Sequence, residues 1–259
     1  MSSHRPSIIA HRGAASEAPE NTMLAFDLGL ELGADALELD VRRSLDGELV
    51  VIHDATLDRT TSSKGSVDSR RAAELAAVDA RLGTRGGVPP PDRAEPIPLL
   101  RDVFARYVDL EITVDVKDPG AVDDVVRLIE EYDRGDLTIL YVEEGTGLPA
   151  FTAYGGRRAT STRQALWLAV VGRWLPRRGG DTFPDVIHTP MRTYGIPIVS
   201  AGFVRAAHRA GRSVQVWTVD DPDMMILLAG WGVDGIITND VRAAVELFGG
   251  PHGQERGSF

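Results

Sequence analysis

The sequence predicts an α/β fold with a largely parallel sheet, and three observations support this prediction. Short runs of β-branched and aliphatic residues recur along the chain. Helical patterns separate several of these runs, as in chains that wind strands and helices alternately. The chain has 259 residues, of which 43% are hydrophobic and 25% charged, as in ordinary globular proteins. This length fits one or two domains, or a single (β/α)8 barrel of about 250 residues.

The strand-like runs and the helical patterns alternate in order. The predicted strands are residues 7–10, 36–41, 49–53, 112–117, 137–142, 214–219 and 235–238. The first predicted helix spans residues 22–32, because Met23, Phe26 and Leu30 share one face and Gly33 suits a left-handed C-cap. Two further helices are predicted, one after Asp118 ending near Gly135, the other opening at Asp221 and closing at Gly230 and Gly232.

Two stretches interrupt this alternation. Residues 54–96 are rich in Arg, Asp, Ser, Gly and Pro, so we expect a long loop excursion there between a strand and a helix. Residues 145–185 hold paired glycines and arginines around an amphipathic segment made of Leu166, Trp167, Val170, Val171 and Trp174. We expect this segment to pack on the sheet, the alternative being contact with a membrane surface.

Charge and cysteine content exclude several classes of function. With 28 basic and 38 acidic residues the net charge is −10, which repels the phosphate backbone of nucleic acids and disfavours a nucleic-acid partner. The chain has no cysteine, which excludes disulfides, thiolate zinc sites, iron–sulfur clusters and cysteine nucleophiles. Any metal must therefore be held by oxygen or imidazole ligands.

No segment has the character of a membrane span or of a secretory signal. Residues 1–12 carry only a short apolar triplet, and the longest uninterrupted apolar run, residues 165–171, has seven members. We expect a cytoplasmic protein without stable membrane insertion.

Polar residues share one face of two predicted strands. Glu38 and Asp40 alternate with aliphatic residues, and Asp115 and Lys117 do so in a later strand. If helices cover the aliphatic face, these side chains point into a barrel or a crevice at the strand ends. Buried carboxylates without a counter-charge are costly, and a divalent cation with oxygen ligands, Mg²⁺ or Ca²⁺, would remove this cost. Ordinary ion pairing with Lys117 and nearby arginines is the alternative.

Several short sequence motifs occur in a fixed order along the chain. They are His11-Arg12-Gly13, Pro19-Glu20-Asn21-Thr22, Glu38-Leu39-Asp40, His53-Asp54 with Arg59-Thr60-Thr61, Val114-Asp115-Val116-Lys117, Trp217-Thr218-Val219 and Gly232-Val233-Asp234-Gly235-Ile236-Ile237-Thr238. Together they resemble the glycerophosphodiester phosphodiesterase family, densely over residues 8–62 and more sparsely over 105–119 and 200–240. Residues 120–200 contribute no motif.

The resemblance implies a fold and an activity. The fold is a TIM (β/α)8 barrel of the phospholipase-C-like phosphodiesterase type, formed by residues 1–259 as a single domain with a long excursion after the second strand region. The activity is metal-dependent hydrolysis of glycerophosphodiesters to sn-glycerol 3-phosphate and an alcohol, usually with one Mg²⁺ or Ca²⁺ ion. The partner is a small-molecule glycerophosphodiester, and the oligomeric state stays open.

The resemblance also implies roles for seven residues. The acid–base pair would be His11 and His53, the metal ligands Glu38, Asp40 and Asp115, and the phosphate contacts Arg12 and Lys117. Trp217 would form an apolar wall for the glycerol or the alcohol group, the alternative being a plug in the barrel core. Arg12 could instead pair with Glu20. Glu20 and Asn21 are expected to orient neighbours or cap the following helix, and His188 and His208 receive no role.

Two positions depart from the family pattern. Asp115 stands where Glu is common and is shorter by about 1.5 Å, so the metal shifts toward this strand or a water bridges the gap. The closing Thr-Asp-x-Pro pattern reads Thr238-Asn239-Asp240-Val241, which we expect to touch a loop and not the chemistry.

Other functions stay open at this point. They are lysophospholipase D or phospholipase-C-like action on a lipid phosphodiester, and a barrel that binds phosphodiesters without cleaving them. A glycosidase built on Glu38 and Asp115 is disfavoured, because it would leave the two motif histidines idle.

Overall fold

Strands and helices alternate in the part of the chain that the structure describes. The structure is a computed structural model, and it describes residues 5–83, 92–143, 149–171, 184–193 and 195–249. The strands are β1 (Ser7–His11), β2 (Ala36–Arg43), β3 (Leu49–Val51), β4 (Ile112–Val116), β5 (Thr138–Tyr141), β6 (Arg157–Arg158), β7 (Val186–Pro190), β8 (Arg192–Thr193), β9 (Ile196–Pro197), β10 (Ser213–Trp217) and β11 (Gly235–Thr238). The α-helices are α1 (Met23–Leu32), α2 (Ala72–Ala76), α3 (Leu100–Arg106), α4 (Val122–Glu131), α5 (Pro149–Ala153), α6 (Thr162–Val171), α7 (Ala201–Arg209), α8 (Pro222–Trp231) and α9 (Val241–Phe248).

Eight parallel strands follow one another in chain order around a barrel. Their order is β1, β2, β4, β5, β6, β7, β10 and β11, and β11 pairs again with β1. An isolated parallel bridge between Ala159 and Val186 joins the β6 and β7 sides of the sheet. At least one helix follows each of these eight strands. The predicted (β/α)8 TIM barrel is therefore confirmed.

The main apolar core lies between the sheet and the surrounding helices. The aliphatic residues of β2, such as Leu37 and Leu39, are fully buried in one cluster with Phe26 of α1 and Phe104 of α3. The alternate residues of the strands point the other way, into the barrel. A smaller apolar cluster inside the barrel contains Ile9 and Ile237, with other members packed around them.

Helix boundaries follow the capping signals in the sequence. The side chain of Thr22 accepts a hydrogen bond from the Ala25 amide, and Gly33 closes α1 with a φ of 109°. Asp221 caps α8 in the same way. The helix predicted to end near Gly135 ends earlier, at Glu131, and is preceded by a 3₁₀ turn at Pro119–Ala121.

The excursion after β3 is more ordered than the loops expected for residues 54–96. It contains α2 and a 3₁₀ turn at Arg81–Gly83, with residues 84–91 outside the described part. Its apolar side chains form a second small core, which includes Ile52, Leu57, Val67, Leu75 and Val78. Because residues 54–96 are mostly polar, no signal in the sequence indicated this second core.

The amphipathic segment predicted around residues 166–174 forms α6 in its first part. Leu168 is buried, Leu166 packs on the main core, and Trp167 is 58% exposed. Trp174, like the side chains of residues 170 and 171, lies outside the described residues. Among the helices of the described ranges, none has both the length and the apolar character that crossing a bilayer requires.

Candidate active site

A cavity of about 400 Å³ opens at the carboxyl ends of the barrel strands. Active sites of TIM barrels lie at this face of the barrel. All eight predicted site residues line the cavity: His11, Arg12, Glu38, Asp40, His53, Asp115, Lys117 and Trp217. Tyr141, Glu143, Thr162 and His188 also line it and were not predicted.

Three carboxylates converge inside this cavity. Asp40 and Asp115 are direct partners in the β2–β4 register, and Glu38 lies two residues before Asp40 on the same face. One oxygen of each carboxylate lies within 4.8 Å of the others, and all three residues are buried. The strand-face prediction is confirmed, because two adjacent parallel strands bring their inward carboxylates to the same level of the barrel.

Burial and mutual repulsion disturb the ionisation of these carboxylates. Burial, reinforced by neighbouring Asp40, raises the pKa of Glu38 well above its usual range. Burial also raises the pKa of Asp115 to about 7, although Lys117 opposes this shift. At Asp40 burial acts in the same direction, but Arg12 and Lys117 outweigh it and hold the pKa below its usual range.

Two cations contact the carboxylate cluster. The Nζ atom of Lys117 lies 2.5 Å from Asp115 Oδ2 and 3.1 Å from Asp40 Oδ1. The Nε atom of Arg12 lies 3.0 Å from Asp40 Oδ2. Ion pairing, the alternative weighed from the sequence, is therefore present and accounts for part of the compensation.

The cluster nevertheless fits a metal ion. Two cations contact the cluster of three carboxylates, and among the described residues the buried Oδ1 atom of Asp115 has no hydrogen-bond partner. A buried oxygen in this condition is costly unless something binds it. The donor set contains only oxygen atoms, which hard divalent cations prefer. This buried acidic cluster can hold a divalent cation.

The loop after β1 positions Arg12 through an ion-pair network. Arg12 has a left-handed φ of 58°, and a Cβ at the following Gly13 would come within 2.5 Å of the Ala25 backbone. The guanidinium of Arg12 donates to Glu20 Oε1 at 2.7 Å, and Arg59 binds the same carboxylate. Arg12 thus pairs with Glu20 and contacts the carboxylate cluster at the same time.

Asn21 fixes the central carboxylate of the cluster. Its Nδ2 donates to Asp40 Oδ2 at 2.8 Å, and its Oδ1 accepts from the Asp40 backbone amide at 3.3 Å. The geometry agrees with the orienting role predicted for Asn21 and, in the same loop, for Glu20.

His11 lies at the end of β1, held by a residue from the opposite end of the chain. Its Nδ1 lies 2.8 Å from Asn239 Oδ1. Because Asn239 Nδ2 donates to Asp220, its Oδ1 accepts, so His11 carries its proton on Nδ1. Against the expectation that residues 238–241 touch a loop and not the chemistry, Asn239 contacts and orients His11, one of the predicted site residues.

His53 follows β3, and a hydrogen bond to its Nδ1 atom also holds its ring. Its Nδ1 lies 2.6 Å from Asp54 Oδ1, and Arg59 Nε binds the other oxygen of Asp54 at 2.7 Å. The bond from Arg59 helps lower the pKa of Asp54 to about 2. Burial lowers the pKa of His53, although the charge of Asp40 opposes this. Both histidines are therefore oriented through Nδ1, and Nε2 of His11 lies 3.8 Å from Glu38 Oε2.

The opposite half of the cavity carries three rings in succession. The ring centroids of Tyr141 and His188 lie 4.5 Å apart, and those of His188 and Trp217 lie 5.7 Å apart. Burial lowers the pKa of His188 to about 3, so this imidazole is neutral. The sequence signal that could have found His188 is the β-branched content of Val186-Ile187-His188-Thr189, which lies in β7 and was not recognised as a strand.

A (β/α)8 barrel with histidines, carboxylates and cations gathered at its catalytic face places this chain among the TIM-barrel enzymes. It belongs to the glycerophosphoryl diester phosphodiesterase family, whose model matches residues 11–243.

Individual relatives agree with this assignment. The chain is 32% identical over 242 residues to the "Probable glycerophosphodiester phosphodiesterase 2" of Mycobacterium tuberculosis, covering 89% of this chain and 86% of the relative. It is 32% identical over 253 residues to a glycerophosphodiester phosphodiesterase of Caldanaerobacter subterraneus subsp. tengcongensis, covering 93% and 96%. The crystal structure of a glycerophosphodiester phosphodiesterase from Agrobacterium tumefaciens superposes with a TM-score of 0.70 at 31% identity, covering 93% of this chain and 100% of that one.

Proposed function

We propose that this protein is a metal-dependent glycerophosphodiester phosphodiesterase, which hydrolyses its substrates to sn-glycerol 3-phosphate and an alcohol. The observation that carries the proposal is the meeting of two oriented histidines, three carboxylates and two cations in one cavity. Family membership and relatives of that name at 32% identity support it. The size of the cavity, about 400 Å³, suits a small molecule better than a polymer.

Arg12 and Lys117 would bind the phosphodiester anion. Burial opposes the charge of both side chains, but the neighbouring carboxylates outweigh it and raise the pKa of each. Both therefore stay cationic at neutral pH and can bind the non-bridging phosphate oxygens. Their own contacts with Asp40 fix their positions before the substrate arrives.

Glu38, Asp40 and Asp115 would hold one divalent cation. When bound, such an ion neutralises the phosphate charge that grows in the transition state. The oxygen-only donor set favours Mg²⁺ or Ca²⁺ over zinc. The proposed ligands come from two adjacent strands of the barrel wall, β2 and β4.

His11 and His53 would move the protons. One would remove a proton from the attacking glycerol hydroxyl group and the other would give a proton to the leaving alkoxide, which produces a cyclic phosphate that water then opens to glycerol 3-phosphate. Each such transfer typically contributes about 10² to 10⁴ to the rate. Asn239 and Asp54 hold the two rings by Nδ1, so both transfers would use Nε2.

The proposal is tested by removing the metal. The purified protein is treated with a chelator, and the release of glycerol 3-phosphate from glycerophosphocholine is then measured with and without added Mg²⁺ or Ca²⁺. We expect activity to vanish in chelator and to return with either or both ions, while circular dichroism shows an unchanged fold. Full activity in chelator would contradict the metal assignment.

A further inference from the structure

A chain of hydrogen bonds leads to His11 across three adjacent strands of the barrel, β10, β11 and β1. Asp220 lies shortly after the end of β10, Asn239 directly follows β11, and His11 is the last residue of β1. Asn239 contacts Asp220 with one end of its amide and His11 with the other. The carboxylate of Asp220 is the outer end of this chain and has no part in the chemistry proposed above.

Both oxygens of the Asp220 carboxylate accept hydrogen bonds from the segment at the end of β11. Oδ1 accepts from the Thr238 hydroxyl at 3.0 Å and from the Asn239 backbone amide at 2.8 Å. Oδ2 accepts from Asn239 Nδ2 at 2.7 Å. Because an ionised carboxylate only accepts, all three partners are donors. The Asn239 amide is therefore held with its Nδ2 toward Asp220 and its Oδ1 toward His11.

His11 needs an acceptor at Nδ1 in either of the proton transfers proposed for it. A neutral ring that takes a proton at Nε2 must carry its hydrogen on Nδ1, because only then does Nε2 have a lone pair. A charged ring that gives a proton from Nε2 carries hydrogen on both nitrogens, so Nδ1 donates again. An Asn239 amide in the reverse orientation would offer Nδ1 a donor, which opposes both roles.

We propose that Asp220 is a positioning residue for the reaction, which acts through Asn239 and determines which nitrogen of His11 carries the hydrogen. The inference rests on the proposed function, because it concerns the proton transfer assigned to His11. Within the described part of the chain, Asp220 is not among the residues that line the active-site cavity. Its effect on the reaction must therefore pass through Asn239.

Asp220→Asn should reverse the Asn239 amide. The oxygen of the new carboxamide has to face the Thr238 hydroxyl and the Asn239 backbone amide, which are both donors, so its nitrogen faces Asn239 Nδ2. Two donors oppose each other, and Asn239 turns its Nδ2 toward His11. We expect kcat for glycerophosphocholine to fall about 100-fold or more with little change in KM, because His11 is then held in the wrong tautomer. Asp220 is exposed, so the fold should persist, which circular dichroism checks.

Exchange of the two side chains should restore the reaction. In the double variant Asp220→Asn with Asn239→Asp, the carboxamide at position 220 donates to the carboxylate at position 239, whose other oxygen accepts from His11 Nδ1. We expect kcat to return to within about tenfold of the intact protein. Asp223→Asn is the matched control, since it removes an exposed carboxylate at the start of α8, and kcat should keep its original value.

A second readout does not need turnover. The nitrogen NMR chemical shifts of a neutral histidine ring distinguish hydrogen on Nδ1 from hydrogen on Nε2, and His11→Gln identifies the signals of His11. We expect hydrogen on Nδ1 in the intact protein and in the double variant, and hydrogen on Nε2 in Asp220→Asn.

The outcomes separate the two proposals. An unchanged kcat or an unchanged tautomer in Asp220→Asn, or a double variant as slow as Asp220→Asn, overturns the role of Asp220 and leaves the phosphodiesterase proposal standing. If the intact protein hydrolyses no glycerophosphodiester, the phosphodiesterase proposal is overturned. A His11 tautomer that changes in Asp220→Asn would then still support the positioning by Asp220, and an unchanged tautomer would overturn it as well.

Discussion

His188 should make the stability of this protein fall as the pH drops below neutrality. The side chain is only 4% exposed. Burial is the main cause that lowers its pKa to about 3, and the charges of His11 and Lys117 act in the same direction. In the unfolded chain the pKa of a histidine is about 6.5. Between these two values the unfolded chain binds a proton that the native protein does not.

Proton linkage gives the sign and the size of this change in the free energy of unfolding with pH. Because the unfolded state takes up more protons, the free energy of unfolding falls as the pH falls through about 6.5, by up to about 1.4 kcal/mol for each pH unit. Between about pH 7.5 and about pH 5 the loss attributable to His188 amounts to about 2 kcal/mol. His188→Gln has no such group, so its stability should lack this part of the pH dependence.

The measurement is urea unfolding of both proteins at the two pH values. The substitution also changes the free energy of unfolding by an amount that does not depend on pH. This amount cancels when the values at the two pH values are compared within each protein. If the original protein and His188→Gln lose equal stability between the two pH values, the reasoning about His188 is refuted.

Three further predictions concern the site. Glu20→Gln should lower the free energy of unfolding by about 3 kcal/mol in chemical denaturation, because the two arginines that bind Glu20 lose their partner; an unchanged value would contradict this. Asn239→Ala should lower kcat about 10- to 100-fold with little change in KM, because the ring of His11 loses its anchor; steady-state kinetics decide. Asp115→Ala should raise the Mg²⁺ concentration for half-maximal activity about tenfold or more, whereas Asp115→Glu should stay near the original value in the same titration.

The convergence of the carboxylates could be predicted from the sequence because it depends only on strand geometry. Alternation within residues 37–41 and 112–117 places Glu38, Asp40 and Asp115 on inward faces. The pairing of β2 with β4 then brings them to one level. Neither step requires knowledge of a side-chain rotamer.

The contact between His11 and Asn239 could not be predicted in this way. The two residues are 228 positions apart, and their bond depends on the closure of the barrel between β1 and β11 and on the rotamers of both side chains. Asp220 adds a further condition, since it determines which end of the Asn239 amide faces His11. Local patterns carry no information on such a chain of contacts.

The row of three rings at the cavity was missed for a different reason. Its middle member, His188, lies on the five-residue strand β7, and β6 before it has only two residues. The residues of β7 read Val-Ile-His-Thr-Pro, which do not alternate between apolar and polar, so the periodic signal is weak although equally short strands such as β1 and β4 were predicted. The second core under the excursion was hidden similarly, because Leu57, Val67 and Leu75 are separated by polar turns and meet only in the folded chain.

The cavity is proposed to cleave glycerophosphodiesters by proton transfer through its oriented histidines. The most direct measurement is the release of glycerol 3-phosphate from glycerophosphocholine in the presence of Mg²⁺, compared between the intact protein and His53→Ala. We predict equal amounts of glycerol 3-phosphate and choline from the intact protein, and a rate lower by about 10² to 10⁴ from a folded His53→Ala. No turnover by the intact protein, or an equal rate for the two proteins, would contradict the claim.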